Sequence, residues 1–107
     1  MRFAAVLNRD GGTLRTIDID AFASRMRETL EAAGHSVTIE IVSSDELEQA
    51  LDKAAAGRAD VVLAGGGDGT VSAAAARLMD KKKALAILPA GTMNLFARSL
   101  GLPLTLD

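Results

Sequence analysis

Val61-Val62-Leu63-Ala64-Gly65-Gly66-Gly67-Asp68-Gly69-Thr70-Val71 decides how the rest of this 107-residue chain is read. Four small or branched apolar residues without a polar interruption suit a central strand buried on both faces. The glycines mark where that strand breaks off, and a helical segment begins at once, from Val71 to Met79. The stretch is therefore a strand, a tight glycine turn and a helix N-terminus.

That junction has a chemical use. Glycines let the backbone take φ > 0 and let a ligand approach the main chain, while the unpaired N–H groups and positive dipole end of the following helix attract anions, phosphate above all. The carboxylate in the middle is the unusual part. Asp68 would repel a phosphate unless a divalent cation sits between them, or unless it takes a proton from a hydroxyl that attacks the phosphate. Gly66-Gly67-Asp68-Gly69-Thr70 thus reads as a site for Mg-nucleotide chemistry. The alternative is a plain strand-to-helix connection in which Asp68 or Thr70 caps the helix, but three consecutive glycines cost stability and a bare turn has no use for them. Two better-known phosphate loops do not fit. A P-loop ends in Lys and Ser or Thr, and no Lys lies between Lys53 and Lys81. A dinucleotide fingerprint needs a glycine where Thr70 stands and an acidic residue near Pro89-Ala90-Gly91.

Outward from the turn, strands and helices alternate. Phe3 to Leu7 is a buried first strand leading into Asn8-Arg9-Asp10-Gly11-Gly12-Thr13, a loop with turn chemistry that is either a second ligand loop or a plain exposed turn. Ile19, Phe22, Ala23, Met26, Leu30 and Ala33 recur at helical spacing up to a stop at Gly34. Ser36 to Val42 alternates apolar with polar, which places it at a sheet edge. Ser43 or Ser44 caps a second helix with Leu47, Ala50, Leu51 and Ala54 as its buried stripe, and Gly57 ends it. Lys81-Lys82-Lys83 reads as a solvated helix end favoured by the dipole. Ala84 to Leu88 is a fourth buried strand, followed by Pro89-Ala90-Gly91-Thr92-Met93-Asn94 and a helical segment from Leu95 to Leu100.

The order β-α-β-α-β-α-β-α predicts a three-layer α/β sandwich with a mainly parallel sheet and right-handed crossovers. In such a sheet, ligands bind where loops leave the carboxyl ends of the strands. Asn8 to Gly12, Gly65 to Thr70 and Pro89 to Asn94 all leave strands at that edge, and together they describe a nucleotide cleft.

Composition narrows the classes further. A net charge of −2 and 3% aromatic residues, all Phe, provide neither a basic footprint nor a stacking platform for nucleic acid. The chain has no cysteine and one histidine, His35, which excludes disulfides, thiolate catalysis and His-rich metal sites. His35 sits at a helix-to-strand joint without a partner in sequence, and no role is assigned to it. No apolar run approaches a membrane span and the N-terminus is too quickly polar for a signal peptide, so the expected compartment is the cytoplasm. Nothing here is amphipathic and basic enough to reach a membrane alone, so transient surface contact is left to a full-length protein.

The pair of motifs Gly66-Gly67-Asp68-Gly69-Thr70 and Leu88-Pro89-Ala90-Gly91-Thr92-Met93-Asn94-Leu95-Phe96-Ala97-Arg98-Ser99-Leu100-Gly101-Leu102-Pro103 resembles the diacylglycerol kinase catalytic domain family, which takes in bacterial lipid kinases and sphingosine kinases. With Asn8 and the Gly11-Gly12 turn the resemblance covers essentially the whole chain. It implies a lipid kinase that passes the γ-phosphoryl of Mg-ATP to the hydroxyl of diacylglycerol or a related lipid. By family pattern, Gly66, Gly67, Gly69 and Thr70 cradle the nucleotide phosphates and Asp68 serves the Mg2+ or the transferring group. Gly91, Thr92 and Asn94 bind nucleotide from the neighbouring loop, and Asn8 completes the wall.

The sequence departs from the pattern in three places. Met93 stands where many relatives have Gly or Ala, Leu95 where many have Asp, and Arg9 where many have Pro. Relatives also carry a second, β-rich domain that supplies the lipid pocket. Residues 1–107 are therefore expected to be an N-terminal nucleotide-binding lobe, inactive by itself and prone to self-associate through apolar surface that the second domain would cover. Two other readings remain: an NAD kinase or phosphofructokinase-like lobe, which shares the Gly-Gly-Asp-Gly turn, and a non-catalytic nucleotide-binding module, which the missing carboxylate at Leu95 would allow.

Overall fold

The structure, a computed structural model, describes residues 1–11, 14, 15, 17–79, 81 and 83–88. The side chain of Asp68, the expected helix from Leu95, and Gly91, Thr92 and Asn94 lie outside that set. Four strands, β1 (Arg2–Asn8), β2 (Ser36–Val42), β3 (Val61–Gly65) and β4 (Ala84–Leu88), alternate with helices α1 (Ile19–Ala32), α2 (Leu47–Ala56) and α3 (Asp68–Leu78). All strand pairs are parallel and the sheet order is β2-β1-β3-β4. The expected α/β sandwich is observed, with β2 at an edge and β3 inside.

Each helix forms for legible reasons. Asp18 caps α1 by accepting from the Ala21 N–H at 3.1 Å. At its other end the His35 N–H reaches the Leu30 carbonyl and the Gly34 N–H the Glu31 carbonyl, both at 3.0 Å, a Schellman closure. Before α2, a short 3-10 turn at Ser44–Glu46 is fixed by the Glu46 carboxylate, which accepts from the Ser43 N–H and hydroxyl at 3.2 and 3.1 Å. The third helix differs from expectation. It starts at Asp68 rather than Val71, because the extended Gly67 offers its carbonyl to both the Thr70 and Val71 N–H groups at 3.0 and 3.2 Å. Asp68, Gly69 and Thr70 are thus its first turn. Of the lysines after it, Lys81 is exposed as expected, whereas Lys83 Nζ donates to the Gly57 and Ala59 carbonyls at 2.7 Å and so ties the end of α2 to the start of β4.

Strand alternation sends side chains to two faces. Ala5, Leu7, Val37 and Leu63 pack under Phe22, Ala23 and Met26 of α1. On the other face Val6, Val42 and Ala64 meet Leu47, Ala50 and Leu51 of α2 and Ala74 of α3. Arg77 clamps α3 to α2, with Glu48 at 2.6 Å and Asp52 at 2.8 Å.

Two consequences of this topology place the site. The register pairs Asn8 with Val42, Leu7 with Gly65, and Gly65 with Leu88, so all four strands end level at one edge. From β1 the chain crosses to β2 on one side, and from β3 it crosses to β4 on the other. The gap between β1 and β3 is therefore the topological switch point, where open α/β sheets bind ligands.

Candidate functional site

The loops that flank this gap are the Asn8 loop and the glycine turn, and they are in direct contact. Asn8 Nδ2 donates to Thr70 Oγ1 at 3.2 Å, joining the end of β1 to the first turn of α3. Both residues are interior, at 5% and 2% exposure. A polar pair this deep is stable because each group finds a partner. The Asn8 loop closes as a turn through the Gly11 N–H to the Asn8 carbonyl at 3.1 Å. A Cβ at Gly11 would stand 2.8 Å from the Gly67 nitrogen, so the absent side chain is what lets the two loops touch.

Gly66 carries the other steric demand. Its φ is +154°, and a Cβ there would lie 2.5 Å from Thr70 Oγ1 and 3.2 Å from Asn8 Cβ. The turn can pass under Thr70 only as bare main chain. Gly69 is the opposite case. It lies exposed in a helical turn, with no described atom within 4 Å of the place a Cβ would occupy. Packing does not require glycine at position 69, whereas a group that approaches the main chain from outside would. The space over Gly69 is open, and an added side chain would stand in it.

The N-terminus of α3 is open in a second sense. Its N-cap is Gly67, which has no side chain to cap with, unlike Asp18 on α1. Thr70 does not cap the helix, as one form of the plain-connection reading would have it. Thr70 turns its hydroxyl inward to Asn8 instead. The first-turn N–H groups of Asp68 and Gly69 have no intrahelical acceptor by geometry, and the positive end of the helix dipole adds to them. This arrangement suits an anion with several oxygens.

The structure thus brings Asn8, Gly66, Gly67, Gly69 and Thr70 together at the switch point. Gly11 of the candidate ligand loop joins them, as do two residues to which sequence reading gave no individual role, Asp10 and Ser44. Ser44 Oγ lies 3.4 Å from Asn8 Nδ2, and the Ser44 N–H donates to Asp10 Oδ2 at 2.9 Å. The signal was the parallel pairing itself, which sets the residues after Val42 beside those after Asn8. Arg9 leans to Glu46 at 3.6 Å across the same loops, and the Ser43 N–H and hydroxyl, with Arg9 adding its charge, hold the Glu46 carboxyl below its usual range. Among the described residues, no three His, Asp or Glu side chains group as a metal site.

A sizeable cavity lies elsewhere. About 340 Å³ opens near the amino ends of β1 and β2 beside α2, lined by Ala4, Thr38, Ala54 and Arg58 among others. Its floor is mostly small apolar side chains, with no helix N-terminus facing it, so size alone does not make it the phosphate site. His35 packs edge-on to Phe3 with ring centres 5.2 Å apart, a structural role. No helix among the described residues is long and apolar enough to cross a membrane.

Comparison with known proteins agrees with this geometry. The sequence profile of the diacylglycerol kinase catalytic domain matches residues 2–107. A probable lipid kinase YegS-like protein of Klebsiella pneumoniae (strain 342) is 47% identical over 55 residues, covering 50% of this chain and 18% of that protein. A probable lipid kinase YegS-like protein of Yersinia pestis (strain Pestoides F) is 43% identical over 61 residues, covering 53% of this chain and 21% of that protein. The matched stretch is thus about a fifth of the relatives' length.

Proposed function

Since the chain belongs to the diacylglycerol kinase catalytic domain family, we propose that it is the N-terminal, ATP-binding lobe of a lipid kinase, which transfers the γ-phosphoryl of Mg-ATP to a hydroxyl of diacylglycerol or a related lipid. The observation that carries this reading is the α3 N-terminus, with glycine as its N-cap and with open space over Gly69, at the switch point of the sheet. Phosphate oxygens accept hydrogen bonds from the main chain at Gly67, Asp68 and Gly69, while the helix dipole offsets part of their charge. Asn8 and Thr70 close the wall on the β1 side. Gly91, Thr92 and Asn94 complete the nucleotide contacts from the loop after β4.

Asp68 opens the turn's helix where a carboxylate meets phosphate, a position that suits a hard cation with oxygen ligands. Magnesium held there would neutralise charge on the transferring group. Alternatively, the same carboxylate would serve as the base that takes the proton of the acceptor hydroxyl. In phosphoryl transfer the protein chiefly positions groups and stabilises charge, which main-chain donors on a rigid turn do well. The lipid is bound by the part of the relatives' length beyond this lobe.

The test uses the longer protein of which this chain is the lobe, supplied with γ-labelled ATP, magnesium, diacylglycerol micelles and NAD. Label in a lipid phosphomonoester that falls sharply in Asp68→Asn supports the reading. Label in the dinucleotide instead would assign the chain to NAD phosphorylation.

A further inference from the structure

Asn8 has no donor left for a ligand. A carboxamide offers two N–H bonds, and Nδ2 sends them to Thr70 Oγ1 at 3.2 Å and Ser44 Oγ at 3.4 Å. Oδ1 accepts the Asp10 N–H at 3.0 Å, which also fixes which way round the group lies. Ser44 is anchored in turn, its own N–H held by Asp10 Oδ2 at 2.9 Å. Asn8, Asp10 and Ser44 form a closed ring across the loops after β1 and β2, and from the Asn8 carboxamide one bond leaves it, toward Thr70. Thr70 is the residue that Gly66 passes beneath.

Resting on the nucleotide reading above, we propose that Asn8 is a positioning residue and not a phosphate ligand. Ser44 and Asp10 fix its carboxamide, and the carboxamide fixes Thr70 and with it the first turn of α3, where the phosphate donors lie. Main-chain donors cannot adjust as flexible side chains do, so an error of a fraction of an ångström in the turn weakens every bond at once. If Ser44 Oγ is lost, one N–H of Asn8 loses its protein acceptor and the carboxamide is free to turn toward other partners.

Ser44 is exposed, so Ser44→Ala tests the ring without opening the core. Binding of mant-ATP with magnesium weakens by roughly three- to tenfold in Ser44→Ala, the worth of one hydrogen bond. Ser44→Thr, which keeps the hydroxyl, returns to within about twofold of the original chain. In the nucleotide-free Ser44→Ala chain, amide exchange quickens at Gly67 and Gly69 but not in β1. In the unsubstituted chain, saturating Mg-ATP leaves the Asn8 Nδ2 resonances nearly unmoved.

Unchanged affinity in Ser44→Ala, or no recovery in Ser44→Thr, overturns the proposal, as does an Asn8 Nδ2 shift as large as that at Gly69, which would mark a direct ligand. A chain that binds no mant-ATP, while Ser44→Ala still loosens the turn, defeats the nucleotide reading and with it any service of the ring to phosphate. The exchange data separate that failure from a failure of the ring itself.

Discussion

Asn8 Nδ2 and Thr70 Oγ1 meet at 3.2 Å although 62 residues separate them in the chain. This bond crosses the switch point of the sheet, holding the β1 loop against the first turn of α3. Thr70→Val keeps the shape but removes the acceptor from a buried donor, and is expected to lower unfolding free energy by about 1–3 kcal/mol. Urea denaturation measures it, and Thr70→Ser should recover most of the loss.

Gly66 lies two positions before the motif's carboxylate and Gly69 one after it, yet substitution by alanine should act oppositely on stability. Gly66→Ala forces a Cβ onto Thr70 Oγ1 at φ +154°, and is expected to destabilise by roughly 1–3 kcal/mol. Gly69→Ala meets no described atom and improves helix propensity, so thermal unfolding should show a gain of about 0.5–1 kcal/mol. The same methyl stands where phosphate is proposed to approach the main chain, and Mg-ATP affinity should fall. A variant that is more stable and binds less well is a result that packing alone would not produce.

The Glu46 carboxyl is held below its ordinary value of 4.5, first by the Ser43 N–H, then by the Ser43 hydroxyl, with Arg9 adding its charge. A depressed acid stabilises the fold fully above its unfolded value and loses that contribution as pH falls through the lower, folded value. Stability followed by urea midpoint from neutral pH downward should therefore decline through the acid range. Glu46→Gln should start lower at neutral pH and decline less, because the charge-dependent part is already gone.

At the outer edge of β2 a side chain covers one of the carbonyls. The Ser36 N–H and Val42 carbonyl bond toward the β1 side, so the Val37 carbonyl faces outward, and Arg27 Nη1 donates to it at 2.9 Å. A charged residue on an edge discourages strand-to-strand association. Arg27→Ala is expected to raise the associated fraction in sedimentation at equal concentration, and an unchanged profile would show that Arg27 does not guard the edge.

Most of the fold was legible because its signals are local. The uninterrupted apolar run from Val61 to Ala64 marks a buried strand, and the alternation in Ser36 to Val42 marks an edge. Among the site residues, the glycine turn and Asn8 carry compositional signals of their own. Asp10 and Ser44 do not, since an Asp in a turn and a Ser before a helix are ordinary, and their roles exist only after β1 and β2 pair in register. The start of α3 was misplaced by three residues for a related reason. Glycine and aspartate disfavour helix interiors, but at a first turn the extended Gly67 carbonyl sets the geometry instead. Lys83 likewise resembles a solvated helix end until the sheet brings the Gly57 and Ala59 carbonyls to it.

The central claim is that nucleotide phosphate lies on the main chain at the start of α3, and amide chemical shifts of the labelled chain titrated with Mg-ATP test it most directly. The account predicts large shifts at the Gly67 and Gly69 amides, with smaller ones at Thr70 and Asp10. Shifts that gather around the cavity of Ala4, Thr38 and Ala54, with the glycine turn unmoved, would contradict it.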